Sequence, residues 1–312
     1  MKPYISVVIP SYNEAKSLLP LYRELTPVLK EIRREYEIIF VNDGSRDKTQ
    51  EVLESLHRQD KKHIRVIQFR NNFGKAAALT AGFKLAKGEV VIQMDADLQD
   101  NPIEIPKFLC KLNEGFDMVV GWKQKRKDSF VKNQSSKVFN FATNYISKVK
   151  LHDHNCGFKA YKLEVVKGLN IYGELHRYIP VIVSAQGYNV TEIKVSHRPR
   201  TFGKSKYSNL RFIHGFLDLL TVFFITRFRS RPLHLFGYLG MAFFLAGFCI
   251  ATYLTYIKLF IHQSIGGRSL LQLAVMLMII GVQISVVGLV GEQITTMMHK
   301  DNKEYVVKKI LK

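Results

Sequence analysis

The sequence predicts an α/β protein in which a doubly wound sheet is followed by amphipathic helices and a pair of membrane-spanning helices. Three observations carry this. Short apolar runs alternate with helically spaced segments through the first half of the chain. The composition then changes at Pro232, beyond which two long stretches lose almost all charge. Acidic side chains, finally, recur just after the apolar runs.

Taken in order, Ile5–Ile9, Glu37–Val41, Ile64–Phe69, Val90–Met94 and Met118–Val120 read as buried parallel strands. Ala15–Leu29, Lys48–Arg58, Ala76–Ala86 and Ile103–Asn113 carry helical spacing between them, with Asp47, Thr49 and Asn101-Pro102 as helix starts. Alternation of this kind builds a doubly wound sheet, whose ligands bind beyond the carboxyl ends of the strands. Further on, a helix is expected over Ser135–Val149, a strand over Gly157–Tyr161, a helix over Glu174–Gln186 and a strand over Val190–Ser196. Asn209–Arg229 mixes Phe, Leu and Ile with Arg and His, the pattern of amphipathic helices lying in a membrane interface.

Leu235–Ile257 contains no charge, and neither does Leu270–Val290, whose helix should reach about residue 293. Each attains the roughly 20 residues an α-helix needs to cross a hydrocarbon core. Arg227, Arg229 and Arg231 precede the first span, and Lys300, Lys303, Lys308, Lys309 and Lys312 follow the second. The connection offers only Lys258 and Arg268, so both termini are expected in the cytoplasm. No signal-peptide apolar region follows Met1, so targeting is expected from the C-terminal helices. The expected parts are a cytoplasmic catalytic domain (1–208), interfacial helices (209–231), a transmembrane hairpin (232–298) and a basic tail (299–312). Three scattered cysteines make no disulfide framework and suit a reducing compartment. The net charge of +20 points to phosphate-bearing substrates or anionic lipid. Nucleic acid is not expected, because no recognised binding motif is present.

The strand ends are where chemistry is expected. They read Pro10-Ser11-Tyr12-Asn13-Glu14, Asn42-Asp43-Gly44-Ser45 and Asp95-Ala96-Asp97-Leu98-Gln99. Acids collected on one sheet edge repel one another unless a cation or a hydrogen-bonded ligand sits among them. Mg²⁺ typically takes one or two carboxylates and fills its octahedron with phosphate and water. Asp47 and Asp100 read more simply as turn or cap residues. Gly203-Lys204-Ser205 lacks the upstream glycine of a phosphate loop, and no G-x-G-x-x-G follows the first strand. His152, Asp153, His154 and Cys156 lack a second paired set at zinc spacing.

Together these three acidic stretches resemble the nucleotide-sugar motifs of family 2 glycosyltransferases with the GT-A fold, a doubly wound, nucleotide-binding domain. Asn155–Lys159, Gly173–Pro180 and His197–Tyr207, with the two closing spans, are similar to the polyprenyl-phosphate (dolichyl-phosphate-type) sugar synthase branch. The resemblance covers essentially the whole chain, and it implies roles residue by residue. Pro10, Tyr12, Glu14 and Asp43 would cradle base and ribose. Asp95, Asp97 and Gln99 would hold a Mg²⁺ or Mn²⁺ ion and the diphosphate. Arg200 and Lys204 would close over the donor phosphates, and Lys123, Lys132 and Ser136 would grip the acceptor phosphate, with Arg126 sharing that work. The sequence departs from the family in having Lys at 123 and 132, a point charge in place of the bidentate Arg fork.

The implied reaction is an inverting transfer of a hexose from a nucleotide sugar to undecaprenyl or dolichyl phosphate. Asp97 and Arg200 are its leading catalytic residues, and Asp153 is a candidate for orienting sugar or acceptor. UDP-glucose is the favoured donor, with GDP-mannose and a UDP-N-acetylhexosamine as alternatives. A bacterial inner membrane is the expected location, and the span pattern is compatible with a homo-oligomer. Rival readings are a transferase with another lipid or glycan acceptor and a non-catalytic membrane adaptor. A processive polysaccharide synthase is disfavoured, because the only Trp, Trp122, lies outside any Gln-x-x-Arg-Trp element.

Overall fold

A computed structural model describes residues 2–124, 143–144, 149–169, 171–199, 220–224, 228, 231–265 and 269–299. The chain divides into two compact units, Met1–Val222 and Phe223–Lys312.

The first unit opens with β1 (Ile5–Ser11), α1 (Ala15–Glu31), β2 (Tyr36–Asn42), α2 (Thr49–Gln59), β3 (Ile64–Gln68), α3 (Lys75–Leu85) and β4 (Val90–Gln93). These agree with the expected elements to within a few residues. Their strands pair in parallel, β3 with β2, β2 with β1 and β1 with β4. Every residue of β2 is buried, as is nearly all of β1, because helices cover both faces of such a sheet. The register sets Ser11 opposite Asn42, so the first two acid-bearing loops leave the sheet side by side.

A 3₁₀ turn (Pro102–Glu104) then leads into α4 (Ile105–Asn113), and Asn101 Oδ1 accepts the Ile103 N–H at its start. Next come β5 (Met118–Lys123), β6 (Lys159–Lys162), α5 (Leu163–Lys167), a 3₁₀ turn (Leu175–Tyr178), α6 (Ile179–Ala185) and β7 (Val190–Val195). The strand order is β3-β2-β1-β4-β6-β5-β7. Here the structure differs from a uniformly parallel run. β6 lies antiparallel between β4 and β5, and β5 pairs in parallel only with β7. β6 thereby fills the gap between β4 and β5. Most of the helix expected over Ser135–Val149, and most of Asn209–Arg229, lie outside the described residues.

The second unit contains α7 (Pro232–Phe260) and α8 (Ser269–His299), both long and apolar enough to cross a membrane. Only 11% and 17% of their most apolar stretches are buried, unlike the core helices of a soluble domain. They form an antiparallel hairpin that meets backbone to backbone at glycines. A Cβ on Gly240 would lie 2.5 Å from Gly281 O, and one on Gly247 would lie 2.5 Å from Ala274 O. Small residues permit this approach where no hydrophobic force drives helices together. At one end, Glu292 accepts the Leu233 N–H (3.2 Å), satisfying a helix-start donor behind Pro232.

Candidate active site

The carboxyl edge of the sheet gathers the three acidic stretches. Asn13 adopts a positive φ of 55°, a conformation its short amide tolerates. That turn brings the Asn13 N–H to Ser45 Oγ (2.9 Å) and the Glu14 N–H to Thr49 Oγ1 (2.9 Å), while Arg46 N–H donates back to Asn13 Oδ1 (2.8 Å). Tyr12 and Glu14 are therefore carried on a loop stitched to the Asp43–Thr49 loop. Pro10, Tyr12 and Glu14 are all half-buried. Asp47 accepts from the Thr49 N–H (3.0 Å) and the Ala15 N–H (3.3 Å), the capping role expected of it.

Asp43 is buried, and its two carboxylate oxygens accept the Phe73 N–H (2.7 Å) and the Gly74 N–H (2.9 Å). Burial pushes its carboxyl up, against the pull of those two amides. Gly44 beside it has a φ of 66°, and a Cβ there would fall 2.3 Å from Asn71 C. The Asp43 loop is thus clamped to the segment that begins α3.

At the head of α3, Lys75 reaches across the edge and pairs with Asp95 Oδ1 at 2.5 Å. Burial works against ionisation of Asp95, yet Lys75, then Lys123 and His176, bring its carboxyl below the usual range. Gly157 closes the other side, since a Cβ there would sit 2.3 Å from Asp95 Oδ2. Asp97 is 7% exposed, and its Oδ1 accepts the Gln99 N–H (3.2 Å), with Leu98 between them at a φ of 62°. Gln99 also donates from Nε2 to Arg198 O (3.4 Å) and accepts the Arg198 N–H on its own carbonyl (3.1 Å). The stretch leading to Arg200 is thereby tied to the acidic loop.

Two residues have partners that the sequence did not suggest. Asp100, expected as a turn or cap residue, is instead 1% exposed and paired with Lys123 Nζ at 2.9 Å. Lys123, expected at an acceptor phosphate, is a nearly sealed internal counter-ion, and Asp100 raises its pKa in spite of burial. Lys123 is the last residue of β5, and its side chain is only 10% exposed.

On β6, Lys159 is 1% exposed, bonds His176 O at 3.4 Å and is pushed down to about 8 by burial. Burial, with Lys75, also keeps the His176 imidazole well below its ordinary pKa. Asp153 is buried and its Oδ1 accepts the Asn155 N–H (3.2 Å). Arg126, Lys132, Ser136, Arg200 and Lys204 lie outside the described residues. Sequence reasoning missed Lys75, Lys159 and His176 as members of the cluster. Lys159 and His176 stand in the quoted Asn155–Lys159 and Gly173–Pro180 stretches, whereas Lys75 had only its place at a helix start as a signal.

Among the described residues, no group of three or more His, Cys, Asp or Glu side chains is arranged to hold a metal ion. Asp95 and Asp97 nevertheless supply two hard oxygen donors on alternate positions. That fits an ion which takes one or two carboxylates and completes its shell with phosphate and water.

Comparison with known proteins agrees with this geometry. Residues 6–169 match the family described as Glycosyl transferase family 2, and residues 231–297 match the GtrB C-terminal hairpin. The chain is 33% identical to dodecaprenyl-phosphate galacturonate synthase of Rhizobium johnstonii, over 98% of this chain and 92% of the relative. It is 35% identical to undecaprenyl-phosphate 4-deoxy-4-formamido-L-arabinose transferase of Pseudomonas aeruginosa, over 95% and 88%. Glucosyl-3-phosphoglycerate synthase of Mycobacterium tuberculosis, solved with Mn²⁺, UDP-glucose and phosphoglyceric acid, shares the fold. Its TM-score is 0.56 at 17% identity, over 72% of this chain and 79% of that one.

Proposed function

The chain belongs to glycosyl transferase family 2, and from that premise we propose that it moves a sugar from a nucleotide donor onto a polyprenyl phosphate at a membrane surface. One observation carries the reading: the likeness to polyprenyl-phosphate sugar transferases runs through both the acid-lined sheet and the apolar hairpin. An acceptor whose tail cannot leave the bilayer requires a catalytic unit tethered beside it. The cytoplasmic placement of that unit rests on the Lys and Arg flanking the spans. The parts we assign are residues 1–208 for catalysis, 209–231 for the interface, 232–298 for the hairpin and 299–312 for the tail.

Tyr12, Glu14 and the Asp43 loop would seat the nucleoside, and Asp95 and Asp97 would hold Mg²⁺ or Mn²⁺ with the diphosphate. The ion, when bound, supplies positive charge to the departing diphosphate. Arg200 and Lys204 add to that charge from the segment tethered at Gln99. The acceptor phosphate is largely dianionic at neutral pH, its second pKa being about 6, so its oxygen attacks without a dedicated base. That oxygen bonds to the anomeric carbon as the bond to the diphosphate breaks, inverting the centre. Arg126, Lys132 and Ser136 would align the attacking phosphate. Lys123 would act from behind, as the buried partner of Asp100.

UDP is the proposed carrier, with glucose and its acidic or amino-substituted relatives as the sugars to try first. The test is transfer of radiolabelled sugar from a panel of nucleotide sugars to undecaprenyl phosphate by purified protein with Mg²⁺ or Mn²⁺. Label should enter the lipid phase from one donor, and EDTA or Asp97→Ala should abolish it. No lipid-phase label from any donor, with the protein folded, would overturn the acceptor assignment.

A further inference from the structure

Lys75 occupies the position a cation would take. Its ammonium lies 2.5 Å from Asp95 Oδ1, on a carboxylate whose other oxygen is packed against Gly157. The pair is about 30% exposed on each side, 31% and 29%, so water and ions reach it. The placement is built into the backbone. Asp43 holds the Phe73 and Gly74 N–H groups, Gly74 takes a φ of 90° as the first flanking residue of α3, and Lys75 is the first residue of that helix. Among the described residues, Lys123 is sealed against Asp100 and Lys159 is 1% exposed, so neither has comparable access.

We propose that Lys75 is an internal counter-ion that competes with the divalent cation for Asp95 and passes to the donor diphosphate when that cation binds. A divalent ion on Asp95 would stand within a few ångströms of the ammonium, and like charges at that separation repel, so entry of the ion drives the ammonium away. The displaced ammonium sits at the head of a helix, where the amide dipoles already favour an anion. The diphosphate that arrives with the ion is the group it meets there. Ion and nucleotide therefore bind in a coupled way, because each relieves a cost the other would face alone. The proposal rests on the reading of Asp95 and Asp97 as the ion's ligands.

The test measures Mn²⁺ binding to the full chain in nanodiscs by electron paramagnetic resonance, with and without UDP, for wild type, Lys75→Met and Lys75→Arg. Removing the ammonium should tighten Mn²⁺ binding without nucleotide by roughly tenfold, the size expected of one like charge near the surface. The same substitution should weaken UDP binding in the presence of Mn²⁺ and reduce the coupling between the two ligands. Lys75→Arg keeps the charge and should leave Mn²⁺ affinity within about twofold of wild type. Unchanged or weaker Mn²⁺ binding by folded Lys75→Met, while wild type binds Mn²⁺ with UDP, overturns the competition and leaves the metal reading intact. Absence of Mn²⁺ binding in every protein, with and without UDP, overturns both.

Discussion

At the scale of the residue, the cluster shows how burial decides which groups stay charged. His154 is fully buried and its Nε2 lies 2.7 Å from Asn144 Oδ1. Burial first, and Lys159 second, push its pKa down from 6.5 to about 4. The unfolded chain therefore binds a proton that the folded chain refuses between those values. Stability from this group is intact above about pH 6.5 and is lost as pH falls toward 4, by about 3 kcal/mol in all. Thermal unfolding of wild type and His154→Gln should show the difference between them shifting in the variant's favour across that window. A constant difference would mean that His154 does not titrate with folding. The acids at the strand ends were legible as a set, because carboxylates placed after strands need compensation. Their compensators were not, because Lys75, Lys123 and Lys159 reach the edge from α3, β5 and β6, and no local spacing connects those elements.

At the scale of the element, the hairpin shows the same limit. Its two spans could be read directly from length and absence of charge, and α7 and α8 appear where they were expected. The contact between them could not, since glycines are frequent in apolar helices and only the fold shows which of them face a partner. A side chain on Gly240 would meet Ser285 Oγ at 2.3 Å and Gly281 O at 2.5 Å, and the second neighbour is backbone and cannot rotate away. Gly240→Leu should therefore push the helices apart at a cost of about 1–3 kcal/mol, the range for overpacking a close contact. Gly237→Leu is the control, because a Cβ there would meet only Leu233 side-chain atoms, the nearest at 3.5 Å. Thermal unfolding in detergent should fall for the first and stay near wild type for the second; equal behaviour would contradict the packing. Among the strands, β6 was located but its direction was not. Pairing sense depends on what the chain does between β5 and β6.

For the whole molecule, charge is the dominant global property. The net charge is +20, and the substrates of the proposed reaction would all carry phosphate. Long-range attraction of this kind is screened beyond about 8 Å at physiological salt and about 3 Å at 1 M. Raising salt from low to high should increase the KM for the nucleotide sugar by roughly threefold or more with a smaller effect on kcat, as expected for steering of an anion. Initial rates against ionic strength measure it, and a KM independent of salt would place all of the useful attraction in contact pairs such as those at the strand ends.

The antiparallel insertion of β6 has a consequence for how the protein is made. Val90 pairs with Lys162, and Gln93 with Lys159, so the outer edge of β4 has no partner until the chain beyond residue 159 has left the ribosome. At about 5–20 residues per second that wait lasts roughly 3–14 s. During it β3, β2, β1 and β4 can assemble alone, since all four lie before Met94 and pair with one another in parallel. β5 must wait for both β6 and β7. The nascent chain thus carries a half-built sheet with one open edge, and that edge closes only when Gly157 and Lys159 arrive beside Asp95. The acid-lined edge is thus among the last parts of the sheet to form.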